Sequence, residues 1–147
     1  MRKRSSYRPK GVILNTLKWV TDGFKPLTSI KDENVKLRLK NHSAFESLVN
    51  GTGVAVDIDL MIAAANMCTA LSRVHGGDWK EEIRQGVDAV ESVRNRWNKW
   101  GKAQLTGDEK EAIAMLLGIN DAQLDACVIN DLDKAIKVAR SNPSIAV

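Results

Sequence analysis

The sequence predicts an all-α fold: a single compact bundle of about five helices over residues 15–147, preceded by a flexible basic arm over residues 1–14. Three observations predict it. Apolar residues recur every three or four positions through long stretches, the spacing that lines one face of a helix. Ala, Leu, Lys and Glu are frequent beside only three prolines and one tyrosine, a balance that suits helices better than sheets. Glycines fall where the periodic runs stop. At 147 residues, 44% hydrophobic and 27% charged, the chain has the size and composition of one globular domain.

Residues 1–10, "MRKRSSYRPK", show no apolar periodicity, and Arg8-Pro9 favours an extended backbone. Asn15 is placed to cap a short helix from Thr16 to Asp22, which Gly23 ends before Phe24-Lys25-Pro26 breaks the pattern. In "NVKLRLKNHSAFESLVNG" two periods compete. Val35, Leu37 and Leu39 alternate like a strand, whereas Leu39, Phe45, Leu48 and Val49 line a helix. The expectation is a helix from the late thirties to Asn50, with 34–39 open to either form. "GTG" at 51–53 is a turn without the spacing or Lys-Ser/Thr of a phosphate loop.

From Asp57 the helical pattern is clear, with Ile58, Met61, Ile62, Ala65, Cys68 and Leu71 in phase up to His75 and Gly76-Gly77 as the stop. A helix from Asp78 then carries Trp79, Ile83, Val87, Val90, Val93 or Arg94, Trp97 and Trp100 on one stripe, forming an antiparallel hairpin with its predecessor. Thr106 with Glu109 makes a capping box ahead of Ile113, Leu116, Leu117, Leu124 and Cys127. A last helix spans Ile129 to Arg140 and closes before Pro143. "IND" at 119–121 and 129–131 is too short to be a structural repeat, and either copy is placed to interrupt a helix.

Cys68 and Cys127 lie among apolar neighbours and are expected to be buried, reduced thiols. The first apolar run, Val12 to Leu14, is too short for a signal peptide, and no stretch is expected to reach a membrane span. The expected location is therefore the cytoplasm. Charge is unevenly spread beneath a net +4: residues 1–40 hold 11 Lys/Arg against three acids, and residues 41–147 hold 11 against 15. A basic leader on a mildly acidic body is the layout of a chain whose one end meets a polyanion or an acidic partner.

Two segments are candidate binding residues. Arg2, Lys3, Arg4, Arg8 and Lys10, with Tyr7 interleaved, have the charge to neutralise phosphates and the ring to stack on a base or sugar; a solubilising tail, or one that folds onto an acidic partner, has the same composition. In "RNRWNKWGK" the cations Arg94, Arg96, Lys99 and Lys102 bracket Trp97 and Trp100, the composition of a stacking surface. The core stripe accounts for both Trp rings without a ligand, and a helix C-terminus accounts for the cations.

Catalytic signatures are weak. His42 and Ser43 are adjacent and point apart on a helix, and His75 beside Gly-Gly reads as a C-terminal cap. Cys68 and His75 share a face, but zinc needs further ligands and only His42 and Cys127 remain. Asp121 with Asp125, and Glu81 with Glu82, read as solvated carboxylates. A helix-turn-helix reader is disfavoured because its recognition helix would open with Asp57 and Asp59. No cofactor, metal or enzymatic activity is expected. If the Trp79, Val87, Trp97 stripe is partly exposed, it offers a face for a homo-oligomer.

"RKRSSYRPKGVIL", "LKNHSAFESLVNG", "DIDLMIAAANM", "LTGDEKEAI" and "NDAQLDAC", in this order, resemble small uncharacterised proteins encoded by tailed bacteriophages and prophages of proteobacteria. The resemblance runs over almost the whole chain and implies a phage origin and action in the bacterial cytoplasm; it carries over no catalytic residue. The expected function is that of a non-enzymatic accessory protein that binds, and inhibits or redirects, a host macromolecule such as an enzyme or defence component. The alternative is a nucleic-acid-binding accessory protein that uses the basic arm.

Overall fold

The computed structural model describes residues 31–145, and every regular element among them is a helix. The predicted basic arm and the predicted helix at 16–22 lie outside these residues. Five helices follow in order: α1 (Lys31–Val49), α2 (Ala55–His75), α3 (Lys80–Trp100), α4 (Gly107–Ala126) and α5 (Ile129–Ser141).

The ambiguity at 34–39 resolves as helix. Asn41, Ala44 and Leu48, three and four residues apart, form the buried edge of α1, while Val35, Leu37 and Leu39 are exposed. Leu39, expected in the core, is therefore a correction: it precedes the stretch of α1 that meets the bundle. Polar contacts hold that leading part instead. Arg38 pairs with Asp125, and His42 Nε2 lies 2.7 Å from Asp121 Oδ2, both on α4.

α1 ends where Gly51, at a positive φ of 77°, turns the chain. A Cβ on Gly53 would come within 2.4 Å of Leu48 Cδ2, so only glycine lets the turn lie this close to α1. The Asp57 carboxylate accepts the Val54 backbone N–H at 2.9 Å and satisfies one of the open donors at the start of α2.

α2 packs against all four other helices. Its central place explains a departure from the sequence reading: by length and a mean hydropathy of 1.3 it reaches the range of a membrane span. Half of that apolar stretch is buried against neighbouring helices, and Ile58, Met61, Ile62, Ala65, Cys68 and Leu71 are each at most 3% exposed.

α3 and α4 approach closely at Gly86, where a Cβ would meet Leu116 Cβ at 2.6 Å. The capping box is present: Thr106 Oγ1 accepts from Glu109 N at 3.2 Å, and Glu109 Oε1 accepts from Thr106 N at 3.1 Å. The first "IND" does not interrupt anything; it runs through the middle of α4 with Ile119 and Asn120 buried, whereas the second opens α5.

α5 is attached differently. It packs chiefly on α2, and a small cluster of Ala70, Leu71, Leu124, Cys127 and Ala135 lies beneath it. Beyond it the tail folds back and buries Ile145 in the main core. The Asn66 side chain holds that residue at both ends, donating to Ile145 O at 3.1 Å and accepting from Ile145 N at 2.9 Å.

Candidate functional site

Of the candidate binding residues, Arg2, Lys3, Arg4, Tyr7, Arg8 and Lys10 fall outside the described residues. The second segment, Arg94 to Lys102, occupies the last turns of α3 and the loop after it. The structure separates its members. Val93 belongs to the core and Trp97 packs half-buried against it. Arg96 points at the next helix: Nη1 donates to Gln104 O at 2.5 Å, and Nη2 donates to the Glu109 carboxylate at 2.7 and 3.1 Å.

Glu109 is 8% exposed. Burial pushes its pKa up, but hydrogen bonds from Arg96 and Thr106 outweigh burial and hold the carboxyl below its ordinary range. Arg96 thus serves as the clasp of the α3–α4 connection and is withdrawn from any phosphate-facing row. Arg94 is also mostly covered, with Glu91 at 3.7 Å. The sequence pattern of four cations around two Trp rings therefore reduces in space to one exposed group, Lys99, Trp100 and Lys102.

Trp100 corrects the core reading of the stripe. It is 65% exposed, and Trp79, at the other end of α3, is 46% exposed. The two rings lie at the very ends of the stripe, where α3 runs past its packed neighbours. Trp79 also precedes the helix as its N-cap, and Trp100 is its last residue. Lys99 Nζ stands 5.0 Å from the Trp100 ring centroid, a cation–π geometry. Of the stripe proposed for self-association, Val87 and Trp97 pack against the core, leaving Trp79 as its exposed member.

The short connections at 50–54 and 101–106 and the antiparallel course of α2 and α3 place the α2 N-terminus and the α3 C-terminus at one end of the bundle. That end presents Trp100 together with Val54 and Val56, all more than half exposed. Sequence periodicity gave no sign of this, since Val54 and Val56 sit in a turn and a first helical turn. Gly101 closes α3 in a left-handed conformation, its N–H bonded to Trp97 O at 2.8 Å, and sets Lys102 beyond the ring.

Several of the remaining candidates for chemistry have structural partners, while Glu82 Oε2 is covered and has no hydrogen-bond partner among the described residues. His42 pairs with Asp121, and Asp125 with Arg38. His75 does not act as a simple helix cap; its Nε2 lies 3.2 Å from Asp131 Oδ2 and joins α2 to α5. Glu81 is held by Arg84 at 2.6 Å. Cys68 is fully buried, and burial pushes its thiol up to about 12, the opposite of an activated nucleophile. Cys127 is raised by the same cause, with Asp131 adding to it. Among the described residues no three His, Cys, Asp or Glu side chains gather as metal ligands.

This bundle end presents an exposed indole, two aliphatic side chains and two lysines. No protein-family model, no curated protein and no solved structure matches the chain.

Proposed function

We propose that the chain is a phage-encoded, non-enzymatic accessory protein that acts in the bacterial host cytoplasm by binding, and thereby inhibiting or redirecting, a host protein. The observation that carries this reading is the exposed Trp100, on the same bundle end as Val54 and Val56. Trp is the residue most enriched at the energetic centres of protein interfaces, where a rim of weaker contacts keeps water out. Covering the open part of such a ring contributes about 2–3 kcal/mol. Lys99 and Lys102 form the matching polar rim and favour an acidic partner surface. The phage origin and the host setting rest on the sequence resemblance.

A second reading has its own support. Lysines on both sides of an exposed indole also suit single-stranded nucleic acid, the ring stacking on a base and the cations neutralising phosphates. In that case the basic residues of the arm, Arg2 to Lys10, add charge of the same sign for phosphates to meet.

One experiment separates the two. The full chain, a variant lacking residues 1–10, and Trp100→Ala are each titrated with fluorescent single- and double-stranded DNA across a salt series, and each is used to capture host proteins. The leading reading expects no salt-dependent DNA binding and a host protein retained by the full chain but lost with Trp100→Ala. Steeply salt-dependent DNA binding that falls with either change would overturn it in favour of the nucleic-acid reading.

A further inference from the structure

At the other end of α3 from Trp100, a groove of about 510 Å³ lies between the last turns of α2 and the first half of α3, with Ser144 of the tail on its third side. Its two long walls repeat one spacing. Thr69, Ser72, Arg73 and Gly76 of α2 and its stop face Lys80, Ile83, Arg84 and Val87 of α3, each set at i, i+3, i+4, i+7. The α2 wall is made of small residues apart from Arg73, and this leaves the space that Ile83 and Val87 line. The turn between the walls is tight because Gly76 and Gly77, at φ 70° and 146°, adopt backbone that side chains disfavour.

The charges around the groove do not cancel. Arg84 is neutralised by Glu81 at 2.6 Å and Asp88 at 3.2 Å, and its hydrogen bond holds the Glu81 carboxyl below the ordinary range. Arg73 donates through Nη1 to the neutral Asn142 carbonyl at 3.2 Å and keeps its charge and its other N–H groups. Among the described residues Lys80 has no carboxylate within ion-pair distance, and none of those that line the groove carries a carboxylate. Ser144 Oγ is covered yet has no hydrogen-bond partner, the condition of a hydroxyl that a ligand completes.

From these features we infer that the groove binds a small amphipathic monoanion, an aliphatic or aryl carboxylate whose body lies on Ile83 and Val87 and whose head meets Arg73 and Lys80. Two cations without a carboxylate partner among the described residues, set around an apolar floor, select against a bare anion, which leaves the floor wet, and against a neutral apolar molecule, which leaves the cations unsatisfied. The size of the groove falls in the range of small-molecule sites, about 300–1,000 Å³.

The test is a titration of the isotopically labelled full chain with hexanoate at neutral pH, followed by amide NMR, with acetate and hexanol as the probes lacking the tail and the charge. Hexanoate is expected to shift the amides of Ser72, Arg73, Ile83 and Ser144 saturably, with Kd in about the millimolar range. Acetate and hexanol should each bind at least about tenfold more weakly, a 1.4 kcal/mol difference. Lys80→Gln, an exposed residue whose loss disturbs no packing, should weaken hexanoate about fivefold or more, beyond the effect of an ordinary surface charge. Absence of saturable shifts up to about 50 mM, a range that would reveal even millimolar affinity, overturns the inference. So does hexanol binding as well as hexanoate, or undiminished binding by Lys80→Gln.

Discussion

The α3–α4 hairpin and α5 are both fastened by polar contacts, yet they stand on different foundations. Beneath the hairpin lies the main core, where Val90, Val93, Ile113, Leu116 and Leu117 are each at most 2% exposed. Beneath α5 lies a cluster of five buried residues, to which α5 itself contributes only Ala135. The Arg96–Glu109 clasp therefore trims a connection that apolar burial already fixes. Leu132, Val138 and Ala139 of α5 pack only half-buried on that cluster, and His75–Asp131, Arg73–Asn142 and Asn66–Ile145 add polar fastenings to α5 and the tail. Stability in such a molecule is uneven: α5 should open before the bundle does.

The largest expected effect comes from the main core. Leu116→Ala removes a side chain wedged against Gly86 and should cost about 3–4 kcal/mol, read as a fall in the denaturation midpoint measured by circular dichroism. A loss no larger than that of an α5 variant would erase the contrast. Asn66→Ala comes next. It strips two hydrogen bonds from the buried Ile145 backbone and should cost about 1–3 kcal/mol. Hydrogen exchange should show protection lost in α5 and the tail while α3 and α4 keep theirs. The cysteines read the same opening: a thiol reagent should reach Cys127, in the α5 cluster, before Cys68 in the main core. Equal labelling rates would mean that the two regions unfold as one unit.

The sequence made the helices visible and hid the joints. Long periodic runs such as Ile58 to Leu71 showed α2, and Thr106 with Glu109 showed the start of α4, because periodicity and capping are written in neighbouring residues. The pairings Arg38–Asp125, His42–Asp121 and Asn66–Ile145 span about 80 residues, and no local pattern marks them. The binding segment was legible only as composition. Arg96 and Lys99 are three residues apart and chemically alike, yet one faces Glu109 and the other water. What sorts them is the approach of α4, a tertiary fact. The two Trp residues at the ends of the stripe were misplaced for a related reason: periodicity gives the face of a helix and says nothing about where its neighbours stop.

A pH series sharpens the comparison at the clasp. Because Glu109 has a folded-state pKa below its unfolded value, it contributes stability that is present above the unfolded pKa and is lost as pH falls through the folded one. The wild-type chain should therefore lose stability on acidification through that window, and Glu109→Gln should show a flatter profile. At neutral pH Glu109→Gln should cost about 1–2 kcal/mol, since the amide oxygen still accepts in place of Oε1 while the amide NH2 cannot accept from Arg96 and the charge is lost. If its effect exceeds that of Leu116→Ala, the clasp rather than the core holds α3 to α4.

The smallest effect on stability is expected at the residue proposed to matter most for binding. Trp100 belongs to the well-founded hairpin by position but to neither core cluster by contact. Trp100→Ala should therefore change stability by no more than about 0.5 kcal/mol, as for surface sites without a packing role, while removing the retention of a partner. A thermal melt beside the capture assay checks both halves. A destabilisation near that of Asn66→Ala would make the indole part of the scaffold, and the bundle end would lose its reason for being called a docking surface. An unchanged melt with lost retention would mean that the ring is kept at the surface for a partner to cover.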